Sequence, residues 1–301
     1  MILNSFNKKP NRKKAFTLVE ILVVIAVIGF LSSIIFAITR GADEQGRIAK
    51  SLYLSQHLHN SLGSYTAGTW TFDEGSGATA NDTSGWENNG TLVGSPAWRC
   101  ANVDTSYTPS GQGCSLEFNG SSQYVNMGKA KDVGETTVTI WFNSSSPNQY
   151  KDMIDFRPGL AYGTFSLNWT GDGRPLLYLN SSNYRYFADI SNYIDGNWHF
   201  LVLYIKGSDQ YDIEEAALSI DTKNIGLSSK STGNSPSDWT GFTVGGRTYG
   251  YYSGLIDEVR IYSVGLTSAQ IQSKYYAGLK RLLSRSQISE QEYQQRHIAA
   301  R

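Results

Sequence analysis

Trp198-His199-Phe200-Leu201-Val202-Leu203-Tyr204-Ile205-Lys206, set between Asn197 and Gly207, has the composition and short period of a β-strand. Similar runs lie on both sides of it. TVTIWFN (137–143), DMIDFR (152–157), TFSLNW (164–169), PLLYL (175–179) and YRYFADI (184–190) come before it. AALSID (216–221) and GLIDEVRIY (254–262) follow. Each is bounded by Gly, Asn, Asp, Ser or Pro, and no long helical segment interrupts them. More than ten short strands over about 190 residues predict an all-β sandwich or barrel. His199 lies inside an apolar strand and is expected in the core rather than as a ligand. Most of the seven Trp are expected there too.

The first sixty residues follow a different rule. Ile21 to Thr39 is apolar or small throughout and free of charge, long enough to cross a bilayer core of roughly 30 Å. Lys8, Lys9, Arg12, Lys13 and Lys14 precede it, which predicts a cytoplasmic amino terminus. Beyond it, Ile48, Leu52, Leu58 and Leu62 recur at near-helical spacing. One helix over 16–62 would be roughly 70 Å long. Glu20 is the anomaly, because a carboxylate in a bilayer segment costs about 3 kcal/mol unless it is paired or reaches the interface.

Charge is uneven along a chain whose total is zero. Between Trp70 and Tyr262 about 21 acids face about 12 bases, which argues against nucleic acid as a ligand. From Thr267 onward the balance returns to about +4. The two cysteines, Cys100 and Cys114, are expected to form a disulfide in an exported domain, unlinked buried thiols being the alternative.

Lys13-Lys14-Ala15-Phe16-Thr17-Leu18-Val19-Glu20 closely resembles the processing signal of type IV prepilins and pseudopilins. The resemblance implies cleavage by a prepilin peptidase between Ala15 and Phe16, with methylation of the new amino terminus. Ala15 stands where the family more often has Gly, and Ala37 where many pilins carry a helix-kinking Pro. In a filament the Phe16 amine of one subunit would neutralise Glu20 of a neighbour and set axial register. Other pilin subunits are the implied partners. The expected course is a single-pass inner-membrane protein that becomes a cell-surface or extracellular filament subunit.

A second resemblance covers the β region. Trp70-Thr71-Phe72-Asp73-Glu74-Gly75-Ser76-Gly77, Asp82-Thr83-Ser84-Gly85 and Asn89-Gly90-Thr91-Leu92 resemble the opening of laminin-G-like domains of the concanavalin A type. Leu116 to Val125, Asp195 to Phe200, Gly254 to Tyr262 and Leu266 to Ile271 resemble later blocks of that family in the same order. The implied fold is a two-sheet jelly-roll sandwich that binds a glycan or a surface protein, often with calcium. Asp73, Asp82 and Asp257 could supply oxygen ligands for Ca²⁺; a turn cap at Asp82 and a structural hydrogen bond at Asp257 are the alternatives. Asn119, Ser122 and Gln123 stand where the family often has acids. No cofactor is otherwise expected. For sugar stacking, the loop carrying Arg247, Tyr249, Tyr251 and Tyr252 is the first candidate, and Tyr184, Tyr186, Trp169 and Trp239 come second.

The predicted organisation is a leader at 1–15, a membrane and filament-core helix at 16–62, and a linker at 63–69. A laminin-G-like sandwich at 70–276 and a short helical tail at 277–301 complete it. In the tail, Leu279, Leu282, Leu283, Ile288 and Tyr293 can form a seam on two short helices, with Ser289 capping the second. No carboxylate pair of the glycosidase kind, nucleophile elbow, zinc helix or phosphate loop is present, so an enzyme is not expected. A pilin-like adhesive subunit is the leading expectation. The alternatives are a pseudopilin of a secretion or DNA-uptake system and a simple membrane-anchored surface lectin.

Overall fold

Runs rich in β-branched and aromatic residues suit a pleated surface, and they build strands wherever a second layer covers their apolar face. The computed structural model describes residues 18–19, 21–32, 62–100, 108–109, 113–127, 135–145, 151–155, 166–169, 174–180, 183–188, 190–207, 210–230, 234–236, 241–246, 248 and 250–300. The chain divides into two compact units, Met1–Lys50 and Ser51–Arg301. In the first, residues 21–32 form helix α1, whose apolar side chains, such as Leu22, Ile25 and Phe30, are exposed. Among the described residues no helix is long and apolar enough to cross a membrane. Ala15, Phe16, Glu20 and residues 33–61 of the expected helix lie outside the described residues.

The second unit is a jelly-roll-like sandwich followed by two helices. Its strands begin with β1 (Thr66–Trp70), β2 (Thr79–Ala80), β3 (Gly90–Val93), β4 (Ala97–Cys100), β5 (Cys114–Asn119) and β6 (Tyr124–Met127). They continue with β7 (Thr136–Asn143), β8 (Lys151–Asp155), β9 (Ser166–Trp169), β10 (Pro175–Asn180), β11 (Asn183–Phe187) and β12 (Trp198–Gly207). The last are β13 (Gln210–Ile220), β14 (Lys223–Ile225), β15 (Leu227–Lys230), β16 (Asn234–Pro236), β17 (Phe242–Val244) and β18 (Ser253–Tyr262). The helices are α2 (Ser268–Ser284) and α3 (Glu290–Ala299). The eight runs read from the sequence fall on β7 to β13 and β18.

One sheet has the order β14-β13-β12-β7-β18-β5-β4, with β1 paired to β18 and β16 to β13. The other has the order β15-β11-β10-β9-β8-β17-β6-β3-β2. Pairing between the named strands is antiparallel throughout. Between the sheets, Trp70 meets Phe242 edge-on at 5.1 Å. Leu116, Phe118, Ile140, Phe142, Leu177, Leu201 and Ile256 complete the same core.

The two central strands of the first sheet, β7 and β12, are buried on both faces over most of their length. Leu201 and Leu203 pair with Ile140 and Val138 on the core side. On the other side Phe200 pairs with Trp141. Helix α2 covers these two. Tyr275 stacks on Trp141 at 5.9 Å, and Gly278 brings the helix so close that a Cβ there would lie 2.1 Å from the Trp141 ring.

The helices begin where their caps put them. Gln270 N donates to Thr267 Oγ1 at 3.3 Å while Thr267 N donates to Gln270 Oε1 at 2.7 Å, a complete capping box. Glu292 N donates to Ser289 Oγ at 3.1 Å, so Ser289 caps α3. Leu279, Leu282, Ile288 and Tyr293 are buried and Leu283 half-buried along the α2–α3 seam. The short helix expected just after β18 and the first tail helix are one continuous element.

Candidate ligand-binding face

Strands β10 and β11 alternate Leu177 and Phe187, both in the core, with side chains of the opposite face. On that outer face Leu176 is paired with Tyr186 and Tyr178 with Tyr184, and all four are half-buried. The rings of Tyr184 and Tyr186 meet edge-on at 5.3 Å. Arg174 Cζ lies 5.0 Å from the Tyr186 ring centroid, and its Nη1 donates to Ser228 Oγ at 2.8 Å. These contacts hold flat aromatic surface next to hydroxyl and guanidinium groups. Such a surface stacks on the C–H face of a sugar ring or on an apolar peptide side chain, and its polar tips bond the periphery.

Farther across the same sheet the outer face is roofed by a loop. Asp155 pairs in register with Thr243. Thr243 Oγ1 donates to Gly246 O at 2.9 Å, and Thr248 Oγ1 donates to Asp155. Gly246 has φ +122° and a Cβ there would lie 2.3 Å from Gly250 O, so the roof needs glycine at this point. Asp152 and Asp155 are fully buried beneath this face.

The four loop residues expected to bind ligand separate. Tyr251 is half-buried at the rim, tilted over Tyr124 at 6.2 Å. Tyr252 is a correction: it is fully buried, packs edge-on against Phe118 at 6.4 Å and donates to Asn143 O at 3.2 Å. Tyr251 bridges Gly246 across the loop, and burial raises the pKa of the next residue, Tyr252. Arg247 and Tyr249, with Trp239, lie outside the described residues. The aromatic patch that the structure does assemble is the second-choice pair, Tyr184 and Tyr186, joined by Tyr178. The Tyr-x-Tyr spacing of Tyr184 and Tyr186, which puts both rings on one face of a strand, was the signal for it.

The three aspartates proposed for calcium do not form one donor set. Asp82 Oδ1 accepts from Thr69 N and Ser84 N, each at 2.9 Å, and its Oδ2 accepts from Asn88 N at 3.1 Å. Asp73 Oδ1 accepts from Cys114 N at 3.2 Å. Asp257 is fully buried on the bulge of β18, accepting from Thr108 Oγ1 and Glu258 N, each at 2.7 Å. Burial, with Glu258 and Asp73 nearby, pushes its pKa well up. Among the described residues no group of three or more His, Cys, Asp or Glu side chains could hold a metal ion. Cys100 and Cys114, cross-strand partners on β4 and β5, form a disulfide.

His199 is buried at the end of β12 but does not sit in an apolar setting. Its Nδ1 is 2.7 Å from Asp221 Oδ2 and its Nε2 3.0 Å from Asp195 Oδ1. Arg296 of α3 reaches the same place, donating to Trp198 O at 2.5 Å and lying 3.4 Å from Asp221 Oδ2. The cluster ties the tail to the sandwich. Only Asp195 is near in sequence; Asp221 and Arg296 are distant, so His199 by itself gave no sign of the cluster.

A model of the concanavalin A-like lectin/glucanases superfamily, of the laminin G kind, matches residues 119–272. The chain belongs to that superfamily. Residues 10–36 match the prokaryotic N-terminal methylation motif, the type IV pilin signal. No curated protein sequence matches. Among solved structures, domain 4 of AbnA, a GH43 extracellular arabinanase from Geobacillus stearothermophilus in complex with arabinotriose, is 17% identical with a TM-score of 0.53. That match covers 70% of this chain and 98% of the other. The binding domain of botulinum neurotoxin DC in complex with rat synaptotagmin II is 12% identical, with a TM-score of 0.52, over 72% of this chain. The same neurotoxin domain in complex with SialylT is 11% identical with a TM-score of 0.51. This chain spans about half of both neurotoxin chains, 52% in each case. At these identities the likeness is one of fold.

Proposed function

We propose that this chain is a type IV pilin-like subunit that displays a non-enzymatic binding head. The observation that carries the reading is the joining of a methylation motif at residues 10–36 to a lectin-like sandwich with a half-exposed tyrosine platform on its outer face. Prepilin peptidase cuts between Ala15 and Phe16 and methylates the new terminus. The helix over 16–62 anchors the subunit in the inner membrane and then packs into a filament, where Glu20 neutralises the Phe16 amine of a neighbour. The head, carried to the cell surface, holds a glycan or a surface protein against Tyr178, Tyr184 and Tyr186. Binding of arabinotriose, synaptotagmin and SialylT by neighbours of the same fold supports a binding role for such a sandwich.

Shearing filaments from the native cell and identifying their subunits by mass spectrometry tests this. A peptide beginning at methylated Phe16, with antibody against the sandwich labelling the filaments, is the expected result. An unprocessed leader still in the membrane, with no sandwich in any filament, would leave a membrane-anchored lectin instead. Glu20→Leu is expected to insert normally and to be lost from filaments; normal incorporation would remove the assembly role of Glu20.

A further inference from the structure

On the opposite side of the sandwich, the first turn of α2 stands beside a strip of the first sheet that the helix does not cover. An open cleft of about 290 Å³ lies between them. Val202 and Ala217 from the sheet, with Leu266 and Ile271 from the helix side, give it an apolar lining. Ser219 and Asn224 from the strands and Ser268 from the helix add hydroxyl and amide groups. None of these three polar side chains hydrogen-bonds a described residue. Tyr204 walls one side, its hydroxyl donating to Glu135 at 2.7 Å. Among the described residues, no Lys, Arg, Asp, Glu or His lines the cleft.

That lining selects its ligand. A phosphate, a sulfate or a metal ion would lose hydration there without meeting an opposite charge. A small concave site with apolar walls and a few uncommitted polar groups suits a neutral ligand that has both characters. A saccharide ring has them: an apolar C–H face and a rim of hydroxyls that both donate and accept.

We propose that this cleft is a second binding site, which takes one ring of an uncharged saccharide and makes the head bivalent. It is separate from the tyrosine platform, which lies on the outer face of the other sheet. Two sites facing opposite ways cannot close on one short glycan. They bridge two glycans, so weak single contacts become strong attachment through multivalency.

The test is saturation-transfer NMR on the full chain in detergent, with the methyl glycosides of glucose, galactose and N-acetylglucosamine as probes. Tyr184→Ala with Tyr186→Ala removes the platform, and Ala217→Trp, at an exposed position, fills the cleft. The expected result is a signal that survives the double tyrosine variant and drops about five-fold or more when Ala217→Trp is added. Asn224→Leu, similar in volume but without the amide, is expected to weaken the same signal while the melting temperature holds. The proposal is overturned if the double tyrosine variant already abolishes transfer from every probe. It is also overturned if neither Ala217→Trp nor Asn224→Leu changes the remaining signal.

Discussion

Tyr184 and Tyr186 owe their placement to a strand that turns every second side chain outward, leaving two rings held edge-on and half exposed. Replacing either by Ala removes stacking area without opening the core. Each change is expected to weaken glycan binding about ten-fold, or about 1.4 kcal/mol, with little change in melting temperature. Isothermal titration alongside thermal melting separates the two effects, and a matching loss of stability would make the tyrosines structural. His199 carries a second expectation. Burial works to lower its pKa, but the hydrogen bonds to Asp195 and Asp221 outweigh burial and the opposing Arg296, so the folded value is raised. A raised folded pKa gives stability that is complete below the unfolded value of about 6.5 and is lost as pH rises through the folded value. Urea midpoints measured from pH 5.5 to 9 should therefore fall with rising pH in the native chain. In His199→Gln that slope should flatten; an unchanged slope would assign it to other groups.

At the scale of elements, the helical tail is a third layer over the first sheet. Its attachment rests on Tyr275 against Trp141, on the close approach at Gly278, and on Arg296 in the His199 cluster. Gly278→Val would drive a branched side chain into the Trp141 ring, and overpacking of this kind costs roughly 1–3 kcal/mol. Thr267→Ala removes half of the capping box and should cost about 1 kcal/mol. Denaturant melts of the two variants and of the pair together measure both. Because the cap sits at the start of α2 and the glycine in its fourth turn, the costs should nearly add. Neutral behaviour of Gly278→Val would mean that α2 does not seat on Trp141.

For the whole molecule, the disulfide closes a 13-residue loop between β4 and β5, and the chain-entropy model assigns such a crosslink roughly 3 kcal/mol. Reduction, or Cys100→Ser with Cys114→Ser, should lower the free energy of unfolding from denaturant melts by that amount and leave the sandwich folded. Near-ultraviolet circular dichroism at matched temperatures reports whether it does. The same fold hosts many binding functions, so what this molecule binds is decided by the surfaces its strands and helices leave open rather than by the sandwich itself.

The character of the molecule was already present in short-range chemistry. The motif Lys13 to Glu20 is a local signal, and strand runs such as 198–206 and 254–262 carry their strand character in their own residues. Even Ser289 as the cap of α3 was legible, because a cap is a contact over three residues. The contents of the sites were not. Whether Tyr252 faces ligand or core depends on one residue of register at a tight turn, and a strand reverses its faces at every step. Asp257, Asp82 and Asp73 look like a donor set until the sandwich distributes them among separate backbone amides. His199 is the buried residue its strand suggested, but the cluster of Asp195, Asp221 and Arg296 around it draws on residues as far as 97 positions along the chain. Local patterns specify elements because their contacts are near in sequence. The binding face, the cleft and the charge cluster are made by contacts between distant segments, and only the packed structure brings those together.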